Sequence, residues 1–424
     1  MSSRAGIVVT GTEVLTGRVS DRNGPWLAEQ LRIAGVDVAQ VIVVGDRPDD
    51  LRRALEFLGS TGIDLIITSG GLGPTADDLT AEVVGTSQGR RSRLDPELER
   101  QIAAIVASLN ERRGWQPDPV ATAAATRKQA LVPDGATVLA PVGTAPGLVV
   151  PVAQGRGGPP VVVLPGPPRE LQGMWPAALA DPDVQAALAG RDELRQRTIR
   201  LWGTPESELA ATMRESEATI AELEITTCLR DGELEIVTRY GPAAEDSYED
   251  FQAAIQSAFA RTLFSSDGRT IDEIVAGALI ERELTIATAE SCTAGLLAGR
   301  LADRPGSSAY LLGGLVVYAN EAKHNLAGVP VQLIADVGAV SAEVAEALAA
   351  GARERLGADL GVGVTGIAGP DGGSDEKPVG LVYLCVTSKD GSLARRLNLP
   401  GSRADIRART VLTAMHLIRE LLVT

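Results

Sequence analysis

The segment Ile63-Asp-Leu-Ile-Ile-Thr-Ser-Gly-Gly-Leu-Gly-Pro-Thr-Ala-Asp-Asp78 decides the fold class predicted for the first part of the chain. Its apolar start predicts a buried strand over Ile63–Thr68, and the rest predicts a glycine-rich loop. Two strand and helix pairs precede it, and the resulting βαβαβ series is typical of a parallel sheet covered by helices. These elements are the strands Ala5–Thr10 and Val38–Val44 and the helices Asn23–Ala34 and Pro48–Gly59.

The loops that follow these strands are candidate phosphate sites, because ligand loops lie at the carboxyl ends of such sheets. In the quoted loop, glycines allow the backbone to approach an anion and Thr75 adds a donor. Asp77 and Asp78 would repel a phosphate unless a divalent cation lay between them, so the loop indicates a Mg²⁺-like ion with a phosphate. The alternative is a glycine turn in which Asp77 or Asp78 caps the next helix. The candidate phosphate-binding residues are Thr12, Ser69, Gly70, Gly71, Gly73, Thr75 and Gly166, and the candidate metal ligands are Asp77, Asp78, Glu13 and Asp46.

The pattern of elements changes twice further along the chain. From about Asp181 it predicts a compact βαββα unit with an Asp231-Gly232 turn, which we interpret as a spacer or dimerisation module. From about Thr270 a second series of strands and helices begins. We therefore predict an α/β fold of two independent α/β domains, residues 1–180 and 267–424, joined by a small α+β module at residues 181–266.

The segment Thr288-Ala-Glu-Ser-Cys-Thr-Ala-Gly295 predicts a strand, a tight turn and the start of a helix. Such a turn holds a side chain such as that of Ser291 away from the backbone. The free N–H groups of the helix are expected to face the same space, which suits a nucleophile and the oxyanion it creates. Cys292 is the rival nucleophile, although its position favours a small apolar group in the core. A purely structural alternative is that Ser291 or Thr293 caps the helix.

Composition restricts the possible functions. The 424 residues indicate about two to four domains. A net charge of −15 disfavours a nucleic-acid or anionic-membrane surface. Three separate cysteines form neither a disulfide framework nor a zinc spacing, which favours a reducing cytoplasm, and no apolar run is long enough to span a bilayer. With only His324 and His416 available, acid–base chemistry falls to carboxylates, lysine or tyrosine.

Several motifs in a single order resemble those of the CinA proteins. In the first section they are Gly11-Thr-Glu13, Ser69–Thr75, Asp77-Asp78 and Pro165-Gly-Pro-Pro168, which resemble a molybdopterin-binding fold. In the last section they are Thr288–Thr293, Tyr318-Ala-Asn-Glu-Ala-Lys323, Gly366-Ile-Ala-Gly-Pro-Asp-Gly-Gly373 and Lys377-Pro-Val-Gly380, which resemble a nicotinamide-nucleotide amidase domain. One departure is Ala294, where many relatives carry a second glycine.

The resemblance implies roles for individual residues. Ser291 would be the nucleophile, Lys323 its base, provided that its amine is neutral, and Tyr318 an aid to proton transfer. Taken alone, Lys323 would be a solvated helix residue and Tyr318 a half-buried strand residue. Two arginines at the start of the last helix oppose its dipole and suggest a nearby anion, the alternative being a solvated helix start. The candidate substrate-binding residues are Thr293, Gly366, Ile367, Ala368, Gly369, Arg403 and Arg407.

We therefore predict a cytoplasmic, homodimeric enzyme of pyridine-nucleotide salvage with two activities. The last domain would deamidate nicotinamide mononucleotide without a cofactor. The first would hydrolyse the pyrophosphate of ADP-ribose, or of a related dinucleotide, with a divalent metal. The partners expected are these small nucleotides, with no membrane and no direct nucleic-acid contact. The alternative is a non-catalytic binding protein, which senses a ligand or acts through partners in competence or DNA damage.

Overall fold

The structure, a computed structural model of the chain, describes residues 3–191, 193–216, 220–230 and 232–423. Within these ranges the chain forms two compact units. The first contains the described residues of 1–195 together with 241–243, and the second those of 196–240 and 244–424. Among the described residues, no helix is both long and apolar enough to cross a membrane.

The first unit contains a six-stranded sheet with the strand order β2-β1-β3-β8-β7-β6. Strands β2, β1, β3 and β8 are parallel to one another, but β7 pairs antiparallel with both β8 and β6, so the sheet is mixed rather than purely parallel as predicted. The reason is the short connection at residues 151–160, which joins β7 to β8 as a hairpin and leaves no room for a crossover helix. The strands of this unit are β1 (Arg4–Thr10), β2 (Asp37–Val44), β3 (Leu65–Ser69), β4 (Ser92–Leu94), β5 (Leu131–Pro133), β6 (Thr137–Leu139), β7 (Gly147–Val150) and β8 (Val161–Leu164), with β4 and β5 forming a separate pair.

Helices cover both faces of this sheet. Along β1, Ile7 and Val9 pack into one hydrophobic cluster and Val8 into another, as the alternation of a strand requires. The glycine-rich loop after β3 therefore lies at the carboxyl edge of a sheet buried on both faces. The helices are α1 (Thr12–Leu15), α2 (Asn23–Ile33), α3 (Pro48–Ser60), α4 (Thr80–Ser87), α5 (Pro96–Arg113), α6 (Pro119–Gln129), α7 (Pro168–Ala180) and α8 (Pro182–Ala187).

The second unit contains two sheets. The smaller has the order β10-β11-β9-β12, and its edge strand β12 was not predicted. Its elements are β9 (Arg195–Trp202), α9 (Glu206–Glu215), β10 (Glu224–Arg230), β11 (Glu233–Tyr240), α10 (Glu245–Ala258) and β12 (Leu263–Ser265). Asp231 of the predicted turn lies outside the described residues. This sheet belongs to the same compact unit as the C-terminal sheet, and the domain boundaries predicted after residues 180 and 266 stay predictions.

The C-terminal sheet has the order β14-β13-β15-β16-β17. Its first three strands are parallel, and β16 runs antiparallel to both of its neighbours, β15 and β17. Strand β13 lies between two parallel neighbours and all five of its residues are buried. The elements are α11 (Ile271–Glu281), β13 (Ile286–Glu290), α12 (Leu296–Ala302), β14 (Leu311–Val316), α13 (Asn320–Ala327), α14 (Val331–Val337), α15 (Ala342–Leu356), β15 (Leu360–Gly366), β16 (Leu381–Thr387), β17 (Ser392–Asn398) and α16 (Arg403–Val423). The predicted α/β class of both domains is confirmed.

Candidate active site and anion-binding loops

Ser291 is the first residue after β13, at the carboxyl edge of the C-terminal sheet. Its N–H donates to the carbonyl of Val364 in the neighbouring strand β15 over 2.9 Å, which continues the sheet by one residue. The chain then turns through Ala294 and Gly295, whose φ angles of 51° and 91° are both left-handed. Two consecutive left-handed residues reverse the chain tightly, and this turn places Ser291 between the strand and α12.

Lys323, on α13, reaches the hydroxyl of Ser291. Its Nζ lies 3.1 Å from Ser291 Oγ and 3.1 Å from the backbone carbonyl oxygens of Val317 and Tyr318. The side chain is only 2% exposed, and burial lowers the pKa of its amine. Among the described residues no carboxylate forms an ion pair with this amine to oppose that shift. The structure thus brings together the two residues that the resemblance paired.

The contacts of Cys292 and His324 near this turn are those of structural residues rather than of catalytic ones. Cys292 is buried, and burial raises the pKa of its thiol to about 11, which leaves almost no thiolate at neutral pH. His324 Nδ1 lies 2.9 Å from the carbonyl oxygen of Val329, at the end of the same helix. Ser291 is therefore the better candidate nucleophile of the turn.

Glu290 has a role that the sequence did not reveal. Its fully buried carboxylate accepts hydrogen bonds from the N–H groups of Gly295, Leu297 and Ala298 over 2.8–3.0 Å, and from the hydroxyl of Thr288 over 3.0 Å. The predicted use of the free N–H groups of α12 for an oxyanion is therefore wrong for these three donors. A glutamate five residues before the N-cap matches no standard capping spacing, so only the folded turn reveals it.

Neither Ser291 nor Thr293 caps α12, because the carboxylate of Glu290 accepts the N–H groups at the start of that helix. Thr293 is fully buried, and its hydroxyl has no hydrogen-bond partner among the described residues. Its carbonyl accepts from Arg407 Nη2 over 2.9 Å, and the carbonyl of Cys292 accepts from Arg407 Nε over 3.0 Å. Arg407 thus holds the backbone of the turn from the side of α16.

Tyr318 and Arg403 form a second pair beside this turn. The Tyr318 side chain is 56% exposed, and its hydroxyl accepts from Arg403 Nη2 over 2.9 Å. Arg403 Nη1 donates to the carbonyl of Gly369 over 2.9 Å. Lys323 contacts the backbone carbonyl of Tyr318, so the structure links the tyrosine hydroxyl to Arg403 and not to the lysine amine.

The Gly366–Gly373 loop begins at the end of β15. Gly366 is the last residue of that strand, the N–H of Ile367 donates to Leu381 O over 2.9 Å, and Ala368 is buried in the main hydrophobic cluster. These contacts make the start of the loop part of the sheet. Of its predicted substrate-binding residues, Gly369 is the one that the structure connects to Arg403 and Tyr318.

In the first unit, Asn23 joins two of the predicted anion loops. Its Nδ2 donates to Ser69 Oγ over 2.8 Å and to the carbonyl of Gly166 over 2.7 Å. Between these loops a Cβ on Gly70 would clash with the carbonyl of Thr10, so only glycine fits there. The sequence placed Asn23 at a helix start and gave no signal of this contact.

The remaining loop residues surround Thr75. The Thr75 hydroxyl donates to both Asp77 and Asp78, and its N–H donates to Asp78 Oδ2 over 2.9 Å. The hydroxyl holds the pKa of Asp77 below its usual value, so this carboxyl is ionised at neutral pH. No side chain caps α4, which makes the alternative reading of these aspartates as caps wrong.

The four predicted metal ligands are not assembled into one centre. No group of three or more His, Cys, Asp or Glu side chains within the described ranges is arranged to hold a metal. Asp46 instead accepts from the N–H of Thr12 over 2.8 Å, at the start of α1 that also carries Glu13. Asp46 and Asp77 line one small cavity, while Asp78 lines a larger pocket beside the loop.

That larger pocket has a volume of about 590 Å³, which is enough for a nucleotide-sized ligand. Backbone of the glycine loop forms one side of it, through Gly71 and Gly73. Its cations include Arg91 and Lys128, and Lys128 also donates to the carbonyl of Thr75. A glycine loop flanked by cations and carboxylates suits a phosphorylated ligand.

Comparisons with known proteins match the N-terminal and the C-terminal parts of the chain to two different domain families. Residues 6–184 match the model of a probable molybdopterin binding domain, and residues 268–422 match the CinA C-terminal domain. The chain is 58% identical to a CinA-like protein of Mycolicibacterium gilvum (strain PYR-GCK) and covers 99% of it. It is 53% identical to a CinA-like protein of Mycobacterium tuberculosis (strain ATCC 25177 / H37Ra) and covers 98% of it. Both comparisons span 100% of this chain.

Solved structures resemble parts of the chain. The competence/damage inducible protein CihA from Agrobacterium tumefaciens is 40% identical over 38% of this chain and 100% of its own, with a TM-score of 0.35. The molybdopterin biosynthesis enzyme MoaB from Thermus thermophilus is 21% identical over 44% of this chain and 97% of its own, with a TM-score of 0.28.

By its domains, the chain is a protein that combines a probable molybdopterin-binding domain with a CinA C-terminal domain. On its full-length identity to those relatives, it belongs to the CinA family.

Proposed function

We propose that the C-terminal domain hydrolyses the carboxamide of nicotinamide mononucleotide to nicotinic acid mononucleotide and ammonia. The observation that carries this proposal is the 3.1 Å contact between Lys323 Nζ and Ser291 Oγ, made by a lysine that is 2% exposed. A buried amine with a lowered pKa can act as a base, whereas an exposed lysine is protonated at neutral pH.

The contacts of Lys323 suit a neutral amine. A neutral amine has two N–H donors and one lone pair. The carbonyls of Val317 and Tyr318 can accept both N–H groups, and the lone pair is then free to accept the proton of the Ser291 hydroxyl. The two carbonyls therefore orient the lone pair toward the nucleophile.

The reaction follows in two halves. Lys323 takes the proton of Ser291 as Oγ attacks the carboxamide carbon. It then returns that proton to the departing nitrogen, so ammonia leaves and an ester of Ser291 remains. In the second half, Lys323 takes one proton from water as its oxygen attacks the ester carbon, and the bond to Ser291 Oγ breaks. The acid leaves and gives its remaining proton to solvent, which yields the carboxylate. The proton then returns to Ser291 and restores the enzyme.

Arg403 is the best candidate for the substrate phosphate. It forms no ion pair among the described residues. Its two hydrogen-bond acceptors, the Tyr318 hydroxyl and the Gly369 carbonyl, are uncharged, so the positive charge of the guanidinium is not neutralised and can attract an anion. Arg407 is less suited to this role than the sequence suggested, because its donors already bind the carbonyls of Cys292 and Thr293.

The test is ammonia release from nicotinamide mononucleotide by the full chain, by Ser291→Ala and by Lys323→Met. Both variants should lose at least about 10³-fold in kcat, since the nucleophile and its base act as one unit. Ser308→Ala, at an exposed serine of the short 3-10 helix Ser307–Ala309, is the matched control. Undiminished ammonia release by Ser291→Ala would refute the proposal.

We also propose that the first domain hydrolyses the pyrophosphate of ADP-ribose or a related dinucleotide. What supports this is the 590 Å³ pocket in which Asp78, Arg91 and Lys128 adjoin the glycine loop. Magnesium needs only one or two protein carboxylates when substrate phosphates supply other ligands. Asp78, which lines this pocket, would therefore suffice as a ligand, and Asp77, which contacts the same Thr75 hydroxyl, lies close enough to assist it. When bound there, the ion would neutralise the charge of the pyrophosphate.

The second activity is tested by product formation from ADP-ribose. Chelation of divalent ions and Asp78→Ala should each abolish it, while Asp49→Ala, an exposed carboxylate on α3, should not change it. Hydrolysis that persists in the presence of chelator and in Asp78→Ala would exclude the metal role of this loop.

A further inference from the structure

A second concave site lies in the C-terminal part of the chain, at the end of the sheet opposite to Ser291. Leu284 precedes β13 and Leu360 begins β15, so this pocket adjoins the amino ends of the strands whose carboxyl ends carry the active-site turn. Its volume is about 590 Å³, within the range of small-molecule sites. Five leucines contribute to its wall: Leu284, Leu360, Leu393, Leu421 and Leu422.

The charged residues of this pocket include more cations than carboxylates. Three cations, Arg282, Arg353 and Lys389, line it together with Asp359 and Asp390. The carboxylate of Asp359, just before β15, accepts from the N–H and the hydroxyl of Thr285, just before β13, over 2.8 and 2.7 Å. With three cations against two carboxylates, the pocket has an excess of one positive charge beside an apolar wall.

Arg353 is the most informative of these cations. Its Nε is buried without a hydrogen-bond partner, and its guanidinium forms no ion pair among the described residues. A buried donor without an acceptor is unfavourable, and native proteins satisfy nearly all such groups with protein, water or a ligand. An anionic group in the pocket would supply the missing acceptor.

We propose that this pocket binds an amphipathic anion, with an apolar body against the leucines and one carboxylate, phosphate or sulfonate group on Arg353 and Lys389. Apolar walls provide most of the buried area in such sites, and a few charged groups fix the orientation of the ligand. The proposal is independent of the amidase chemistry, because none of its lining residues belongs to the active-site turn or to its contacts.

The experiment is a fluorescence titration of the full chain with 1-anilinonaphthalene-8-sulfonate, an apolar ring system with one sulfonate. Wild type should bind it saturably, and Arg353→Met, which keeps an apolar side chain but loses the charge, should weaken binding by about tenfold. Arg355→Met, an exposed arginine of the same helix outside the pocket, is the matched control and should bind as wild type does. Octanoate should displace the probe, and neutral 1-octanol should not.

Equal affinity of wild type and Arg353→Met for the probe would overturn the proposal, as would equal competition by octanoate and 1-octanol. Thermal unfolding of each variant shows whether it is folded. If Arg353→Met does not fold, Lys389→Gln on the 388–391 turn replaces it. This variant should weaken probe binding about threefold, and unchanged binding would then refute the proposed site.

Discussion

At the scale of single residues, the proposed reaction makes the reactivity of Ser291 depend on the protonation of Lys323. Burial holds the pKa of its amine below the ordinary lysine value of 10.5. Because the neutral form is the base, amidase activity should rise with pH through this lowered pKa and fall as acid protonates the amine. The measurement is the pH profile of kcat/KM on nicotinamide mononucleotide. An acid limb with its midpoint at or above 10.5 would contradict the role of burial.

Ala294 is the residue at which the turn is strained. Its φ of 51° is left-handed, a conformation that costs a residue with a side chain about 1 kcal/mol. Ala294→Gly should therefore raise the free energy of unfolding by up to about 1 kcal/mol, less the entropy that glycine adds to the unfolded chain. Urea unfolding measures this change. A loss of stability on this substitution would show that the methyl group contributes packing that outweighs the strain.

At the scale of elements, the strand-turn-helix unit from β13 to α12 is held from two sides. Glu290 accepts the N–H groups of the helix start, and Arg407 donates to the carbonyls of the turn. Neither residue needs to touch the substrate, so both are positioning residues. The backbone around Ser291 is thus held by groups from its own strand and from α16.

Glu290→Gln should disturb this unit without changing the volume of the side chain. An amide has one acceptor oxygen, so at least one buried N–H group loses its partner, which costs about 1–3 kcal/mol. The expected result is a lower kcat with an unchanged KM, together with a lower free energy of unfolding. Steady-state kinetics at a temperature where the variant is folded separates the two effects, and unaltered kcat in a destabilised variant would reduce Glu290 to a purely structural residue.

The sequence predicts helices and strands whose start and end signals lie close together in the chain. It does not predict contacts between side chains that are far apart in the chain. Helix α5 shows such local signals, because Asp95 caps its first N–H groups, Pro96 begins it and left-handed Gly114 ends it. The pairing of Lys323 with Ser291, 32 residues apart, came only from the family resemblance. The contact of Arg403 with Tyr318 spans 85 residues, and no local pattern specifies it.

At the scale of the whole molecule, α16 links the Ser291 turn to the small sheet within the second unit. Its first residues contact the Ser291 turn, and His416 near its end stacks on Trp202 of β9 with ring centroids 4.1 Å apart. His416 Nε2 also lies 2.7 Å from Glu233 of β11. The small sheet, which the sequence suggested to be a spacer, thus packs on the helix that carries Arg403 and Arg407.

Acid should weaken this packing through His416. Burial lowers its pKa below 6.5 although Glu233 acts in the opposite direction, so the unfolded chain takes up the proton first as the pH falls. The free energy of unfolding should therefore be highest above about pH 6.5 and decrease below it. Denaturant unfolding of wild type and His416→Gln at several pH values measures this contribution. An identical pH dependence in the two proteins would contradict it.

The most direct test of the central claim is the covalent intermediate on Ser291. Rapid acid quenching of the full chain during turnover of nicotinamide mononucleotide, followed by mass spectrometry of the intact protein and its peptides, detects an acyl group on the enzyme. We expect the mass of the nicotinoyl mononucleotide on the peptide that contains Ser291, and none in Ser291→Ala. Rapid turnover in which the adduct appears on Cys292, or in which Ser291→Ala still releases ammonia, would contradict the account.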